Sequence, residues 1–528
     1  MVKFNCHSLY ITISMRIKVT TQFFLCMLIM LILFAFTRKN SWESKLVKIN
    51  KDGVLNYIPD EKGNTIPDFS NVGYYAGNKT IPDVSVVKTI EASANGSSEE
   101  IIQSAINEVS KITPDNNGFR GTILLKKGTY NIAGTLKIEA GGIVLRGEGN
   151  ATKLIATGTE HRTLISVSGK GKIQEVPNSR TEITDAYVPV GTKSFNVSSS
   201  KRYKVGDRII VYRPGTDEWI KYLKMDQIVE RKGTRQWKAY EYNIQFERMI
   251  TKIEGNKIFI DNPIVMAMEP KYGVAEIYKY NFDGRISNAG VENLYCESAY
   301  TSDTAENHGW EAITFNKIEN GWIRNVTSRY FGYGCVSLQS DARNITVTDC
   351  NCFDAKSIIT GGRRYSFNNT GQMNLVMNCN TTEGRHDFVT GARTRGPNVF
   401  YNCTAKNTHA DIGPHHRWSM GTLYDNIVSD GDINIQDRGN YGSGHGWVGV
   451  TQILWNCTVR KAAVQSPYVN GKNYCIGLHG EKYEGRFKGR PDGEWEGQNK
   501  DGLQPQSLYK AQLKENGKKF LRIIKNKN

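Results

Sequence analysis

From about residue 80 onward, apolar residues come in short runs rich in β-branched and aromatic side chains, broken by Gly and Asn, with no sustained helical period. Seven of these runs share one pattern: "VENL" (291–294), "IRNV" (323–326), "VTDC" (347–350), "VMNC" (376–379), "FYNC" (400–403), "LYDN" (423–426) and "LWNC" (454–457). Each places Asn or Asp at its third position, at 293, 325, 349, 378, 402, 425 and 456, with successive gaps of 32, 24, 29, 24, 23 and 31 residues. Self-similarity on this scale means stacked units that bury a common core. The pattern predicts an all-β, right-handed parallel β-helix solenoid, with loops absorbing the unequal gaps. Coils stack about 4.8 Å apart, so identical residues form ladders. Asn tolerates a left-handed turn and its amide can bond the amides above and below. Cys350, Cys379, Cys403 and Cys457 follow the Asn/Asp column; small thiols suit a narrow interior, so a packing ladder is expected here, neither disulfides nor a metal site.

Other segments fall around the repeat. "SSEEIIQSAINEVSKI" starts with Ser and Glu and is amphipathic, which predicts a helix capping the open N-terminal end. The segment 191–282 breaks the repeat and reads as hairpins of an inserted β region, and "LQPQSLYKAQLKENGKKFL" reads as a C-terminal helix. The expected organisation is a leader over 1–44, the N-terminal cap and first coils over 45–190, the insert over 191–282, the main coils over 283–480, and a capping tail over 481–528. Phe23 to Phe36 is an unbroken apolar run preceded by Arg16 and Lys18. It suits a signal-peptide core or an uncleaved anchor, so an exported protein is expected: secreted, periplasmic or held at the cell surface.

Charge alters this picture little. The formal net charge is +16, but residues 1–48 and 509–528 each hold seven Lys/Arg against one Glu. The body is only mildly basic, with no compact basic patch interleaved with aromatics. No nucleic-acid partner is expected, and a monomer is.

"GTILLKKGTYNI" (121–132), "LKIEAGGIVLRGEGNATKLIA" (136–156) and the tail "SLYKAQL" (507–513) together resemble the pectate-lyase-like β-helix superfamily. The resemblance covers roughly residues 80–165 and 285–520. It implies the fold and a polysaccharide-related activity, but no single reaction, because this fold hosts lyases, hydrolases, transferases and phage adhesins. The aspartate motifs of pectate lyases and polygalacturonases are not recognisable in the chain.

Candidate chemistry concentrates in "EGRHDFVTGARTRGPN" (383–398) and "THADIGPHHRWSMG" (408–421). With the Asn/Asp column as a ruler, Arg364, Arg393 and Arg417 align, as do His415 and Arg438, with Arg395 beside them. Stacked arginines point to an extended anionic ligand such as a polymer bearing carboxylate or sulfate, the alternative being solvated or internally paired arginines. Asp387 and Asp411, with Asn434 next, form a second column whose two carboxylates could bind Ca²⁺ or act as an acid/base pair, or equally orient His386 and His409. Of nine histidines, His386, His409, His415, His416 and His445 fall within sixty residues, without the spacing of a zinc motif. Trp418, Tyr441 and Trp447 are candidate sugar platforms. The expectation is a polysaccharide lyase acting on a uronate-containing polymer by β-elimination. Arg393 and Arg417 would neutralise the uronate carboxylate, His415 or His416 would act as base, and His386 or His409 as acid. The alternatives are a glycoside hydrolase using Asp387 and Asp411, and a non-catalytic glycan-binding protein.

Overall fold

Short strands stack in register along the chain, and the computed structural model describes them over residues 41–92 and 98–518. The apolar run Phe23–Phe36, and with it the expected leader, lies outside the described residues. The body is a right-handed parallel β-helix in which 29 strands join one continuous parallel sheet. The first face stacks Val86–Ile90, Gly121–Leu125 and Ile143–Arg146 under Gly290–Ser298, Ile318–Arg329 and the strands that follow them up to Glu494–Glu496. The second face runs from Gly128–Ile132 through Thr404–Lys406 to His479–Lys482. The third runs from Leu136–Ile138 through Gly309–Asn316, Phe367–Asn369 and Phe388–Thr390 to Asp411–Pro414 and Asp432–Ile435.

The Asn/Asp column marks the corner between the first and second faces. Asn293, Asn325, Asp349, Asn378, Asn402 and Asn456 all have left-handed backbone, with φ between 51° and 56°. Asn is the non-glycine residue that adopts this turn most readily. Gly290–Ser298 and Ile318–Arg329 bend there and pair with both faces. Neighbouring amides bond up the stack: Asn325 donates to Asn293 at 2.8 Å, Asn402 to Asn378 at 2.7 Å and Asn456 to Asn426 at 2.8 Å. One expected member is wrong. In "LYDN" the corner residue is Asn426 (φ 57°), not Asp425. Asp425 is buried and its carboxylate accepts from Ser507 Oγ (2.9 Å) and Tyr509 N–H (2.8 Å), anchoring the start of the C-terminal helix.

Cys350, Cys379, Cys403 and Cys457 are free and buried inside the corner, as are Cys296 and Cys475. Burial pushes the Cys457 thiol up to about 12, so it stays protonated and packs as an apolar group. Cys335 and Cys352 instead form a disulfide joining the third face of one coil to the second face of the next.

Strand alternation is apolar on both sides of the first face. Val376, Phe400, Tyr424 and Leu454 point into the solenoid, while Leu375, Val399, Leu423 and Ile453 point outward. Outward apolar residues need a cover, which the two chain ends supply: Val47, Leu55, Phe69 and Val72 from the N-terminal strap, and Leu508, Tyr509 and Leu513 from the helix Leu508–Glu515. That helix therefore lies along the flank of the coils and does not cap their end. The N-terminal helix Ser98–Val109 does close the core, through Ile102, Ala105, Ile106 and Val109.

Between Arg162–Ser168 and Gly290–Ser298 the chain leaves the solenoid to build an antiparallel sheet whose strands span Gln174 to Asn281, starting earlier than residue 191. The insert docks by an aromatic core in which Trp219 meets Trp418 edge-on at 5.0 Å. Beside it, buried Glu247 accepts hydrogen bonds from Arg285, Arg343, Tyr280 and Gln372.

Candidate functional site

Coil register brings Arg364-Tyr365-Ser366-Phe367 over Arg385-His386-Asp387-Phe388, because Phe367 pairs with Phe388, and the next coil adds Asp411–Pro414 and His415. On the outer side of the third face this makes a compact, largely buried cluster. The rings of His386 and His415 lie 4.3 Å apart, His415 and His445 5.0 Å, and His416 and His445 5.0 Å. Tyr365 stands 4.9 Å from His386 and 5.3 Å from His415.

Asp411 organises this cluster. Its backbone carbonyl lies 2.7 Å and its carboxylate 3.1 Å from His386 Nδ1. Two acceptors at one ring nitrogen require the proton there, so Nε2 carries the lone pair. Nε2 is buried and has no hydrogen-bond partner among the described residues. The same carboxylate accepts from Arg438 and, at 3.0 Å, from Asn434 Nδ2. Burial pushes the Asp411 carboxyl up, but Arg438 and His386 outweigh this and hold it well below the usual range. Burial lowers His386 below the ordinary histidine value despite Asp411. His415 is lowered further by burial and by the neighbouring His386 and Arg438. His416 falls to about 3 and His445 to about 4, mainly through burial, with nearby arginines adding to it. At neutral pH the rings are therefore unprotonated bases in a positive surround.

Arg417 Nη2 donates to Ser443 O at 2.8 Å and Nη1 lies 3.7 Å from Glu241 of the insert, while Arg393 faces the Tyr242 ring at 5.6 Å. Arg393 and Arg417 are stacked neighbours, the Arg393 N–H donating to Arg417 O at 2.8 Å. His445 sits on the turn 439–446, held by insert residues: Arg231 Nη2 donates to Gly442 O and Trp237 Nε1 to Gly444 O. Gly442 is at φ 53°, and a Cβ there would meet the His445 ring at 2.0 Å.

Several expected site residues lie elsewhere. Arg364 stacks on Arg385, not Arg393, because the extra residues of the longer coil fall between the corner and the arginine. Its guanidinium is spent on the carbonyls of Ser357 (2.6 Å) and Glu383 (3.4 Å). Arg395 bonds Gln245 O and Ser340 O and ties the insert to the coils. His409 is exposed and paired with Glu383 at 2.7 Å, outside the cluster. Trp418 and Trp447 are fully buried beneath the insert and present no face to a sugar. Asp387 and Asp411 are equivalent in register but share no partner among the described residues: Asp387 accepts from Ser366 and Thr381 where the second face turns into the third, and burial pushes it up to about 6. Ca²⁺ takes about six to eight oxygen ligands, so this pair does not fit the expected site. His386, Asp411 and His415 do bring potential ligand atoms within 4.8 Å of one another, but the carboxylate already serves His386, Asn434 and Arg438, and the arginines oppose a dication.

Tyr365 and Arg385 were not anticipated. The self-similarity of "RYSF" (364–367) and "RHDF" (385–388) is the signal that would have found Tyr365.

No protein-family model matches the chain, and no curated protein matches it. Among solved structures, the tailspike protein gp49 from Pseudomonas phage LKA1 is similar at 12% identity over 75% of this chain and 70% of its own, with a TM-score of 0.36. The alginate lyase from Paenibacillus sp. str. FPU-7 is 10% identical over 79% and 99%, TM-score 0.38. The endo-xylogalacturonan hydrolase from Aspergillus tubingensis is 10% identical over 75% and 85%, TM-score 0.39. The strand pairing, not these likenesses, defines the fold, and similarity at this level says nothing about chemistry.

Proposed function

We propose that the chain is an exported carbohydrate-active enzyme that cleaves a uronate-containing polysaccharide by β-elimination at the His386–His415 cluster. The carrying observation is His386, oriented by Asp411 through Nδ1–H, with a bare, buried and unpartnered Nε2. This is the arrangement of a general base held in one tautomer. Because the cluster is unprotonated at neutral pH, the base needs no activation.

β-Elimination needs a cation on the uronate carboxylate, so that the C5 proton becomes acidic. Arg417 and Arg438 border the rings, and buried Arg438 Nε has no partner among the described residues. His386 Nε2 then takes the C5 proton. The electron pair forms the C4–C5 double bond and the C4–O bond breaks. Tyr365, whose ring lies beside those of both His386 and His415, gives its hydroxyl proton to the departing glycosidic oxygen. Solvent exchange resets both groups. The base is thus His386 where the sequence favoured His415 or His416, and His409 has no role. A hydrolase on Asp387 and Asp411 loses its support, since the two carboxylates do not address one space.

The test is a panel of acidic polysaccharides, read for the ultraviolet absorbance of unsaturated uronate ends and separately for reducing ends. The expected result is an absorbance rise that His386→Gln and Tyr365→Phe abolish. Reducing ends without absorbance would instead select a hydrolase. Export rests on the Phe23–Phe36 run and is tested by fractionating cells that express the full chain.

A further inference from the structure

The cluster lies at the end of a track of aromatic rings that occupies one position in successive coils of the third face. His161 stacks on Trp310 at 3.9 Å, Trp310 lies 6.3 Å from Tyr333, and Tyr333 lies 5.0 Å from Tyr365, which touches His386. Burial deepens along it: His161 is exposed, Trp310 and Tyr333 are half-buried, Tyr365 is 9% exposed and His386 2%. Aromatic rings that carry polar atoms make a semi-polar floor suited to the mixed surface of a glycan, and the Tyr333 hydroxyl accepts from Asn368 Nδ2 at 3.1 Å. Acidic groups beside the track are neutralised. Glu306 pairs with Arg363 and Asp303 with Lys356, and burial pushes the Glu311 carboxyl up.

The opposite side of the cluster is walled. The turn 439–446 is pinned by insert residues Arg231, Arg235 and Trp237. The loop 483–490 folds back against it: Arg486 packs on the Tyr441 ring at 3.1 Å, Tyr483 O–H donates to Asn434 at 2.5 Å, and Arg490 donates to Asp437 at 2.7 Å. Two segments distant in sequence thus meet just beyond the histidines, on the side of the C-terminal coils.

From this geometry we infer that the groove is blind: an acidic glycan enters along the Trp310–Tyr333 track, and only a chain end reaches the histidine cluster, so the enzyme is exo-acting. This rests on the lyase reading above. A walled groove excludes the interior of a polymer, because a through-running chain would have to occupy the space of Tyr441 and Arg486.

The test uses alginate and polygalacturonate, with oligosaccharides of each. Size-exclusion traces should show one small unsaturated product from the first time points while the polymer peak keeps its position. An early fall in polymer mass would overturn the inference and leave the lyase reading standing; absence of unsaturated product from every polymer would overturn the lyase reading. Binding provides an arm independent of turnover. Oligosaccharides carrying bulky labels at both ends should bind at least about tenfold more weakly than unlabelled ones, and one of the two singly labelled forms should bind normally. Equal affinity for all forms means an open groove. Tyr441→Ala combined with Arg486→Ala should admit internal cleavage and broaden the product sizes. Trp310→Ala should raise KM for polymer without changing kcat; a fall in kcat with KM unchanged would mean that the track is only packing.

Discussion

The asparagine corner and the histidine cluster occupy the same coils yet obey opposite rules. At the corner each coil repeats one residue type in one backbone conformation, and neighbouring side chains satisfy one another, as Asn402 does with Asn378. In the cluster each coil contributes something different: Tyr365, then His386, then Asp411 with His415, then Asn434 and Arg438. There, buried polar atoms such as His386 Nε2 and Arg438 Nε are left without partners, which costs about 1–3 kcal/mol each. Repetition cancels its own desolvation cost and holds the solenoid together. Variation leaves unmet hydrogen-bonding capacity on one outer face, which is what a ligand can use.

The largest effect expected of breaking this contrast is on the cluster alone. His386→Gln should lower kcat/KM by about 10²–10⁴-fold with an unchanged thermal midpoint; normal turnover would remove His386 as base. Next comes the insert interface. Trp418→Ala should cost about 3–5 kcal/mol of stability in denaturant titration. If stability held and only KM rose, Trp418 would be the sugar platform that the sequence suggested.

Acid should act on the cluster next. His416 and His445 are depressed in the folded chain to about 3 and about 4, from 6.5. The unfolded chain therefore binds more protons between these values. Their contribution to stability is complete above 6.5 and is lost as pH falls toward 4. The melting temperature should drop across this window, and His416→Gln with His445→Gln should flatten the drop. The smallest effect belongs to the corner. Asn402→Ala should cost about 1–2 kcal/mol, through the left-handed turn and one hydrogen bond. Asn402→Gly should cost less, since it restores the turn alone, and neither should alter kcat.

The corner was legible in the sequence because each of its members is fixed locally by a left-handed turn and by the identical residue one coil away. The misplacement at Asp425, one residue from the true corner Asn426, shows the limit of that reading. Both residue types suit the turn, and only the contacts of Asp425 with Ser507 and Tyr509 separate them. The arginine column failed for a related reason. Counting from the corner carries every loop insertion with it, so Arg364 came to rest on Arg385. The tryptophans failed differently: their burial is set by an insert whose docking face the pattern of the coils does not announce.

The sequence by itself determined the winding, the corner, the capping helix, the presence of an insert and the window in which the histidines fall. These follow from residue type and from spacing between adjacent coils. Only the tertiary structure decided which histidine is bare, which carboxylate orients it, and which side of the cluster is walled. Those depend on segments far apart in the chain, Arg231, Tyr441 and Arg486 among them, whose meeting no local periodicity encodes.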